Sequence, residues 1–136
     1  ARLIEFETYL DGEFVTSTRG DGVIVASPTG STAYALSAGG PILHPALPAL
    51  VVVPICPHTF SNRPIVVSSD SVIEVVMVGL EQHQAYVSFD GQSSFSLEDG
   101  DHIYVRRADA AIELVHPSGR SHFDVLREKL HWGKKL

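Results

Sequence analysis

The richest set of chemically capable side chains lies just after a glycine-flanked acid. Asp21 stands between Gly20 and Gly22, and the run Ser27-Pro28-Thr29-Gly30-Ser31-Thr32-Ala33-Tyr34 follows a short apolar stretch. Four hydroxyls within six residues offer uncharged donors and acceptors that suit ribose hydroxyls, a carboxamide or phosphate oxygens. Gly30 leaves room for a ligand to approach the backbone, and the flat ring of Tyr34 offers a stacking face. On composition alone, a strand-to-helix connection with good caps explains the run equally well.

Several other kinds of site are absent from the sequence. It has no GxxxxGK phosphate loop, no GxGxxG opening a crossover helix, no GxSxG elbow and no HExxH pair. The histidines are scattered along the chain, at positions 44, 58, 83, 102, 116, 122 and 131. Each is better explained as a surface or hydrogen-bonded core histidine than as a metal ligand or catalytic base. We therefore predict no metal site in the chain.

Composition excludes further classes of function. The net charge is −6 and the basic residues are scattered, which disfavours a generic nucleic-acid binder. The apolar runs are only a few residues long, so we expect no membrane span. The single cysteine, Cys56, excludes an internal disulfide and agrees with a reducing compartment. Since the chain lacks a secretory signal and begins without Met, we expect a cytoplasmic protein and a fragment of a longer one.

The elements around the hydroxyl run are predicted to be mainly strands. Leu3–Leu10 alternates charged and apolar residues, and Asp11-Gly12 then predicts a tight hairpin turn. Further strands are predicted from short apolar runs between turn residues, at 23–26, 65–67, 72–78, 85–89, 95–97, 103–106 and 112–116. Many short strands without intervening helices indicate an antiparallel sandwich or closed sheet within one domain.

Two helices complete the prediction. Thr32 is expected to cap a short helix from Ala33 to Ala38, which Gly39-Gly40 would terminate. Near the C-terminus, Phe123, Leu126 and Leu130 recur at helical spacing, with Ser121 or Asp124 available as a cap. The predicted fold is therefore mainly β and sandwich-like, with one short helix after the hydroxyl run and one C-terminal helix.

The segment Arg19–Pro45, RGDGVIVASPTGSTAYALSAGGPILHP, closely resembles the long motif of the NAD kinase family. Three later segments resemble other parts of that family: Pro54–Pro64 with its prolines, His58 and Arg63; the Asp90-Gly91-Gln92 element; and the ending from Trp132 to Leu136. The resemblance covers essentially the whole chain. It implies that residues 1–136 form the C-terminal NAD-binding β domain, with that family's sandwich-like fold.

The resemblance also implies an activity. Members of the family phosphorylate the adenosine 2′-hydroxyl of NAD to form NADP, using ATP or inorganic polyphosphate with a divalent cation such as Mg²⁺. Their N-terminal α/β domain carries a GGDG motif, whose aspartate is taken as the base, and an Asn-Glu pair that holds the ribose. Neither motif occurs in this sequence. We therefore expect no catalytic residue in this chain and no activity from it alone.

Residue by residue, the resemblance implies a binding surface. Asp21 would contact the nicotinamide end of NAD, with Arg19 beside it. The dinucleotide would be lined by Thr29, Thr32, Ala33, Tyr34, Ala35, Leu36 and Ser37. His58 and Gln92 would serve a site shared between protomers of a homodimer or homotetramer, although a structural role at a proline-flanked turn is nearly as good an explanation for His58 and Arg63. Asp90-Gly91 is by itself a common hairpin turn.

Two other functions remain open. The β domain of a lipid or sphingoid kinase shares the broad architecture, but the run from Asp21 to Tyr34 argues against it, and no apolar substrate channel is evident. A non-catalytic nucleotide-binding or assembly module also fits, because the chain lacks the motif that supplies the base. Binding of NAD by this chain, beside a longer form of the protein, distinguishes these hypotheses.

Overall fold

A computed structural model describes residues 3–59, 61–80, 84–133 and 135. Phe60, in the Pro54–Pro64 segment, and His83, Lys134 and Leu136 lie outside the described residues. The strands are β1 Ile4–Leu10, β2 Glu13–Gly20, β3 Gly22–Ala26, β4 Ala49–Ile55, β5 Ile65–Ser68, β6 Ile73–Val78, β7 Ala85–Phe89, β8 Ser93–Leu97 and β9 His102–Val105. The helices are α1 Tyr34–Ser37 and α2 His122–Leu130, and a 3-10 turn spans Thr29–Thr32.

All described strand pairs are antiparallel, in three sheets. A four-stranded sheet has the order β2-β1-β6-β9, a three-stranded sheet has the order β3-β4-β5, and β7 and β8 form a separate hairpin. The predicted mainly β, antiparallel architecture is confirmed, with small shifts at the strand ends. No helix in the described part of the chain is long and apolar enough to cross a membrane.

Two buried clusters hold the layers together. The inner face of the four-stranded sheet contributes Phe6, Val75 and Met77, and Val23 of β3 packs against them from the other sheet. The opposite face of the three-stranded sheet carries Val51 and Val53, against which α1 packs. Alternation of buried and partly exposed residues along β6 follows from the two-residue period of a strand. The three-stranded sheet is therefore the middle layer, between the larger sheet and α1.

The turns predicted from Asp-Gly pairs are confirmed. Asp11 and Gly12 have φ of 50° and 83°, and Asp90 and Gly91 have φ of 52° and 68°. Positive φ at both central residues matches the right-handed twist of the flanking strands, which is why this dipeptide marks hairpins. The C-terminal helix is confirmed too: Ser121 is its N-cap and forms a capping box with Asp124.

The prediction that Thr32 caps the short helix is wrong. The N-cap of α1 is Ala33, without a side-chain cap bond, and the preceding residues form the 3-10 turn. Thr32 Oγ1 instead donates to the carbonyl oxygen of Thr29, at 3.3 Å. Its hydroxyl therefore bonds backwards into the tighter turn and not forwards to the helix. Termination at Gly39-Gly40 is confirmed, since Gly40 N–H donates to the carbonyl of Ala35.

The strand predicted at 112–116 is also not observed. This segment has neither helix nor strand, and no described strand pairs with it. In the four-stranded sheet β9 is the edge strand, and no described strand pairs on its free side. Strand propensity alone is insufficient without a hydrogen-bonding neighbour.

Candidate functional site

The corner between β2 and β3 fixes the acid predicted from the sequence. Asp21 N–H donates to the carbonyl of Ile55 at 3.0 Å, and His58 N–H donates to the carbonyl of Arg19 at 2.9 Å. A Cβ on Gly20 would lie 2.9 Å from the same Ile55 oxygen, so only glycine fits there. The corner therefore holds Asp21 on a tightly bonded backbone while its side chain is exposed.

Arg19 lies beside this corner and forms an ion pair with Glu5. Both side chains are largely solvent-exposed, at 61% and 42%, so the pair contributes little to stability. The guanidinium can exchange Glu5 for an anionic ligand at small cost. A shallow cavity of about 240 Å³ opens here, lined by Glu5, Ser17, Thr18, Arg19 and Thr59.

Three of the four predicted hydroxyls, those of Ser27, Ser31 and Thr32, already make hydrogen bonds within the fold. Ser31 is fully buried; its Oγ donates to the carbonyl of Pro28 at 2.6 Å and accepts from Leu43 N–H at 3.0 Å. Ser27 Oγ accepts from Gly30 N–H at 3.3 Å. Ser31 thus fastens the loop to the following segment, a role that its buried position gives it and that sequence reasoning did not distinguish from ligand binding.

The other polar groups of the run face solvent. Thr29, Ala33 and Ser37 are exposed, Thr32 is partly exposed, and the Tyr34 ring is 63% exposed. An aromatic ring this exposed offers its face to a planar ligand, whose stacking would bury it. The exposed Thr29 can offer its hydroxyl to a ligand, whereas the Thr32 hydroxyl already donates to the Thr29 carbonyl and is left to accept.

Ala35 anchors the helix and is 1% exposed. It packs in a cluster with Leu43, Val51 and Val53. Gly40 permits this packing, because a Cβ there would lie 2.8 Å from both the Ala35 carbonyl oxygen and Val53 Cγ2. The Ala35 side chain is therefore part of the core, and any contact it makes with a ligand must come from its backbone.

A second cavity, of about 260 Å³, lies between the two larger sheets. Thr16 Oγ1 donates to Asn62 Oδ1 at 3.2 Å, and Asn62 Nδ2 donates to Thr18 Oγ1 at 3.4 Å, along its wall. Arg63 also lines it. Sequence reasoning missed this feature, although the two-residue spacing of Thr16 and Thr18 places both hydroxyls on the inner face of β2.

The outer face of the four-stranded sheet carries a hydrogen-bonded carboxylate, that of Glu74. Glu74 Oε2 lies 2.8 Å from His102 Nδ1, and hydrogen bonds from His102 and Tyr104 lower the pKa of Glu74. The same carboxylate raises the pKa of Tyr104, and Glu7 raises that of Tyr9 through a hydrogen bond. Each of these shifts moves the pKa of its group further from 7, so none of Glu74, Tyr104 and Tyr9 is poised as an acid or base near neutral pH.

The family model for the ATP-NAD kinase C-terminal domain matches residues 1–117 of this chain. This chain belongs to that family. The NAD kinase of Thiobacillus denitrificans is 58% identical over 135 residues, which cover 99% of this chain and 46% of the relative. The NAD kinase of Nitrosococcus oceani is 52% identical over the same shares. The resemblance found in the sequence is confirmed, and the chain spans a little under half the length of these curated relatives.

Solved structures agree with the fold of this ATP-NAD kinase C-terminal domain. Yeast NADH kinase, complexed with NADH, matches with a TM-score of 0.87 and 33% identity, over 98% of this chain and 41% of that protein. An NAD kinase from Archaeoglobus fulgidus, in complex with ATP, matches with a TM-score of 0.71 and 39% identity, over 80% of this chain and 41% of that one.

The domain distributes the predicted site residues over three places. The β2–β3 corner carries Arg19 and Asp21, with His58 bonded to it. The turn and short helix after β3 carry Thr29, Thr32, Ala33, Tyr34, Ala35, Leu36 and Ser37. Gln92 stands apart, exposed where β8 begins. Neither cavity described above includes Asp21 or Tyr34.

The corner and the hydroxyl run lie at opposite ends of β3. Five residues at about 3.3 Å each separate Asp21 from the end of the strand, roughly 17 Å along its axis. The helix α1 packs back along β3 against Ile24 and Ala26. A ligand touching both Asp21 and the far end of β3 must therefore be elongated, whereas α1 itself lies alongside the strand.

Proposed function

We propose that this ATP-NAD kinase C-terminal domain, residues 1–136, binds the dinucleotide in an NAD kinase. The enzyme transfers a phosphoryl group from ATP or polyphosphate to the 2′-hydroxyl of the adenosine ribose of NAD, forming NADP. The observation that carries the proposal is similarity along the whole chain: 58% identity to an NAD kinase over 99% of its length, and a shared fold over 98% of it with a kinase complexed with NADH.

In this proposal the β2–β3 corner receives the nicotinamide end. A carboxylate accepts hydrogen bonds only, so Asp21 suits the two N–H donors of a carboxamide. Arg19 supplies a neighbouring cation that leaves Glu5 when an anionic group arrives. Since both corner strands are hydrogen-bonded into sheets, the acid is positioned before the ligand binds.

The turn and short helix after β3 take the remainder of the dinucleotide. Thr29 and Thr32 offer hydroxyls to ribose or phosphate oxygens, and Tyr34 stacks on a base through its exposed face. Ala33, Leu36 and Ser37 line the same segment, and Ala35 keeps it on the sheet. The elongated shape of NAD matches the separation of this segment from Asp21.

His58 and Gln92 complete a site shared between copies of the chain, in a homodimer or homotetramer. Support comes from the β7–β8 hairpin, where Tyr86, Phe89 and Phe95 are more than half exposed. Within the described residues this two-stranded sheet has no third strand on either side. Pairing between subunits is one way to cover such edges.

No catalytic residue is assigned to this chain. The GGDG motif, which supplies the base, is absent from its sequence, so phosphoryl transfer needs an α/β part outside this chain. The curated relatives are more than twice as long as the matched region, so they are long enough to contain that part. Among the described residues no group of three or more His, Cys, Asp or Glu is placed to hold a metal ion. We place the enzyme in the cytoplasm.

The test is calorimetric titration of NAD into this chain and into a longer form of the protein that includes the GGDG motif. In the longer form we expect Asp21→Asn to weaken NAD binding about ten- to a hundredfold, since a hydrogen bond to a charged group is worth about 1.5–3 kcal/mol. Asp70→Asn is the matched control, because Asp70 is an exposed acid with only a surface ion pair to Arg107.

Three results separate the possibilities. Binding only by the longer form places the site across both parts of the enzyme. Tight binding by this chain, with no turnover by the longer form, favours the non-catalytic nucleotide-binding module, which the missing motif makes the second candidate. Absence of NAD binding from both forms removes the proposal.

A further inference from the structure

The cavity of about 240 Å³ at the edge of β2 combines a cation, an acid and hydroxyl groups. Arg19 and Glu5 stand opposite each other on β2 and β1, and their side chains form an ion pair. Ser17 lies two residues before Arg19 and therefore on the same face of the strand. Thr59, from the segment after β4, forms another part of the wall. A guanidinium with neighbouring hydroxyl donors is a set of groups that suits an oxyanion.

A backbone hydrogen bond holds Thr59 beside β2. His58 N–H donates to the carbonyl oxygen of Arg19 at 2.9 Å, so the chain after β4 follows the edge of β2 at this point. The side chains of Ser17 and Thr59 are both exposed, so a ligand in the cavity can reach the two hydroxyls. The strand and the neighbouring segment thus position these donors before a ligand arrives.

Glu5 is the acid that a second anion must displace. Among the described residues it is the one acid that forms an ion pair with Arg19. Both side chains are largely exposed, so the pair is weak and the Glu5 carboxylate can turn into solvent at small cost. Glu7 lies opposite Ser17 on the same face and adds a negative charge, although its carboxylate accepts a hydrogen bond from the Tyr9 hydroxyl. Anion binding therefore depends on releasing Glu5 and is opposed by Glu7.

A phosphate ion matches these groups better than a carboxylate does. Two of its four oxygens can pair with the planar guanidinium, and the other two can accept from the Ser17 and Thr59 hydroxyls. A carboxylate has two oxygens only, and the guanidinium alone can engage both. The cavity is also smaller than the roughly 300–1,000 Å³ of pockets that hold drug-sized ligands, so its size suits one small ion.

We propose that the cavity at Arg19 is a binding site for one phosphate ion, and that Glu5 is an internal competitor that pairs with the guanidinium until phosphate displaces it. This assignment goes beyond the proposed function, because its ligand is not the dinucleotide. If the nicotinamide end of NAD binds beside Asp21, as that function requires, phosphate at this site competes with the dinucleotide for Arg19.

Modification of arginine by phenylglyoxal, measured for each peptide by mass spectrometry, tests the proposal in the longer protein without NAD. Arg107 is the internal control: like Arg19 it is 61% exposed and paired with one acid, Asp70, but it lines neither cavity. Phosphate at ten times its dissociation constant should slow the modification of Arg19 about tenfold, relative to chloride at equal ionic strength, since about a tenth of the sites stay free. The rate at Arg107 should not change.

Two results of this experiment overturn the proposal. Absence of protection, or equal protection of Arg19 and Arg107, means that the cavity adds nothing to an exposed arginine. Protection by acetate as strong as that by phosphate means that the hydroxyls take no part. Since NAD enters none of these measurements, either result leaves the proposed function standing.

Paired variants test the part played by Glu5. In Glu5→Gln the phosphate concentration that halves the modification of Arg19 should fall about two- to fivefold, as for the loss of one exposed ion pair. Asp70→Asn makes the same change of charge beside Arg107 and should produce no phosphate protection there. Thr59→Val removes the hydroxyl at similar shape and should raise the halving concentration at Arg19 about two- to tenfold. An unchanged concentration in Glu5→Gln, or new protection of Arg107 in Asp70→Asn, contradicts the assignment.

Discussion

Replacing Gly30 with alanine tests whether the hydroxyl run admits a ligand to its backbone. A Cβ built on Gly30 lies 3.5 Å from Ala26 Cβ and 3.7 Å from Ser27 Oγ, which are ordinary contact distances, and Gly30 is not among the glycines with positive φ. Gly30→Ala should therefore keep the free energy of unfolding or raise it by about 0.4–1 kcal/mol, since alanine restricts the unfolded chain. NAD affinity should fall at least tenfold, about 1.4 kcal/mol, if the dinucleotide lies against this backbone.

Gly40→Ala is the matched comparison. Its Cβ would lie 2.8 Å from backbone and side-chain atoms alike, so overpacking should destabilise the chain by about 1–3 kcal/mol. Urea denaturation of this chain measures both stabilities, and calorimetry with the longer protein measures NAD affinity. If Gly30→Ala binds NAD as well as the unmodified protein, Gly30 does not admit the ligand. If it unfolds as easily as Gly40→Ala, the steric argument itself is refuted.

Three further predictions concern stability and titration. Ser31→Ala should lower the free energy of unfolding by about 1–3 kcal/mol in urea titrations, because two backbone partners lose their hydrogen bond, and an unchanged midpoint would contradict this. The backbone N–H of Ser121 lowers the pKa of Asp124, so the stabilisation it provides exists above the unfolded pKa of about 4 and is lost as pH falls through the lower folded pKa. Thermal unfolding of Asp124→Asn should therefore differ from the unmodified chain at pH 7 and converge with it at pH 2. His102→Phe should raise the pKa of Glu74 in an NMR titration, and a pKa that does not move would exclude His102 as its main cause.

Local chemistry made much of the fold predictable. Asp11-Gly12 and Asp90-Gly91 identify hairpins because both residues tolerate positive φ, and Ser121 with Asp124 identifies a helix start. The prediction of a cap at Thr32 is wrong for a tertiary reason: Ser31 is buried, and its hydrogen bond to Pro28 accompanies a 3-10 turn at Thr29–Thr32. The strand at 112–116 failed because pairing depends on a neighbour that the sequence of the segment does not contain.

The candidate site was predictable in its composition but not in its arrangement. The types of residue identified Asp21 and the hydroxyl run, yet they did not show that Ser31 serves the fold or that Ala35 is a core residue. The strand predicted at 23–26 did place Asp21 and the hydroxyl run at its two ends, but the sequence did not show that α1 packs against it. Such facts depend on which face of each element is covered, and coverage is set by packing between elements distant in sequence.

The connection between β2 and β3 consists of Asp21 alone, and it passes from one sheet to the other. A one-residue connection cannot lengthen or shorten, so any change in the spacing of the two sheets must move this carboxylate. Substitutions between the layers, such as at Phe6 or Val23, would then change the position of the Asp21 carboxylate without contacting it. A binding group placed at such a joint loses little freedom when it is engaged, and its position depends on the packing of the whole sandwich.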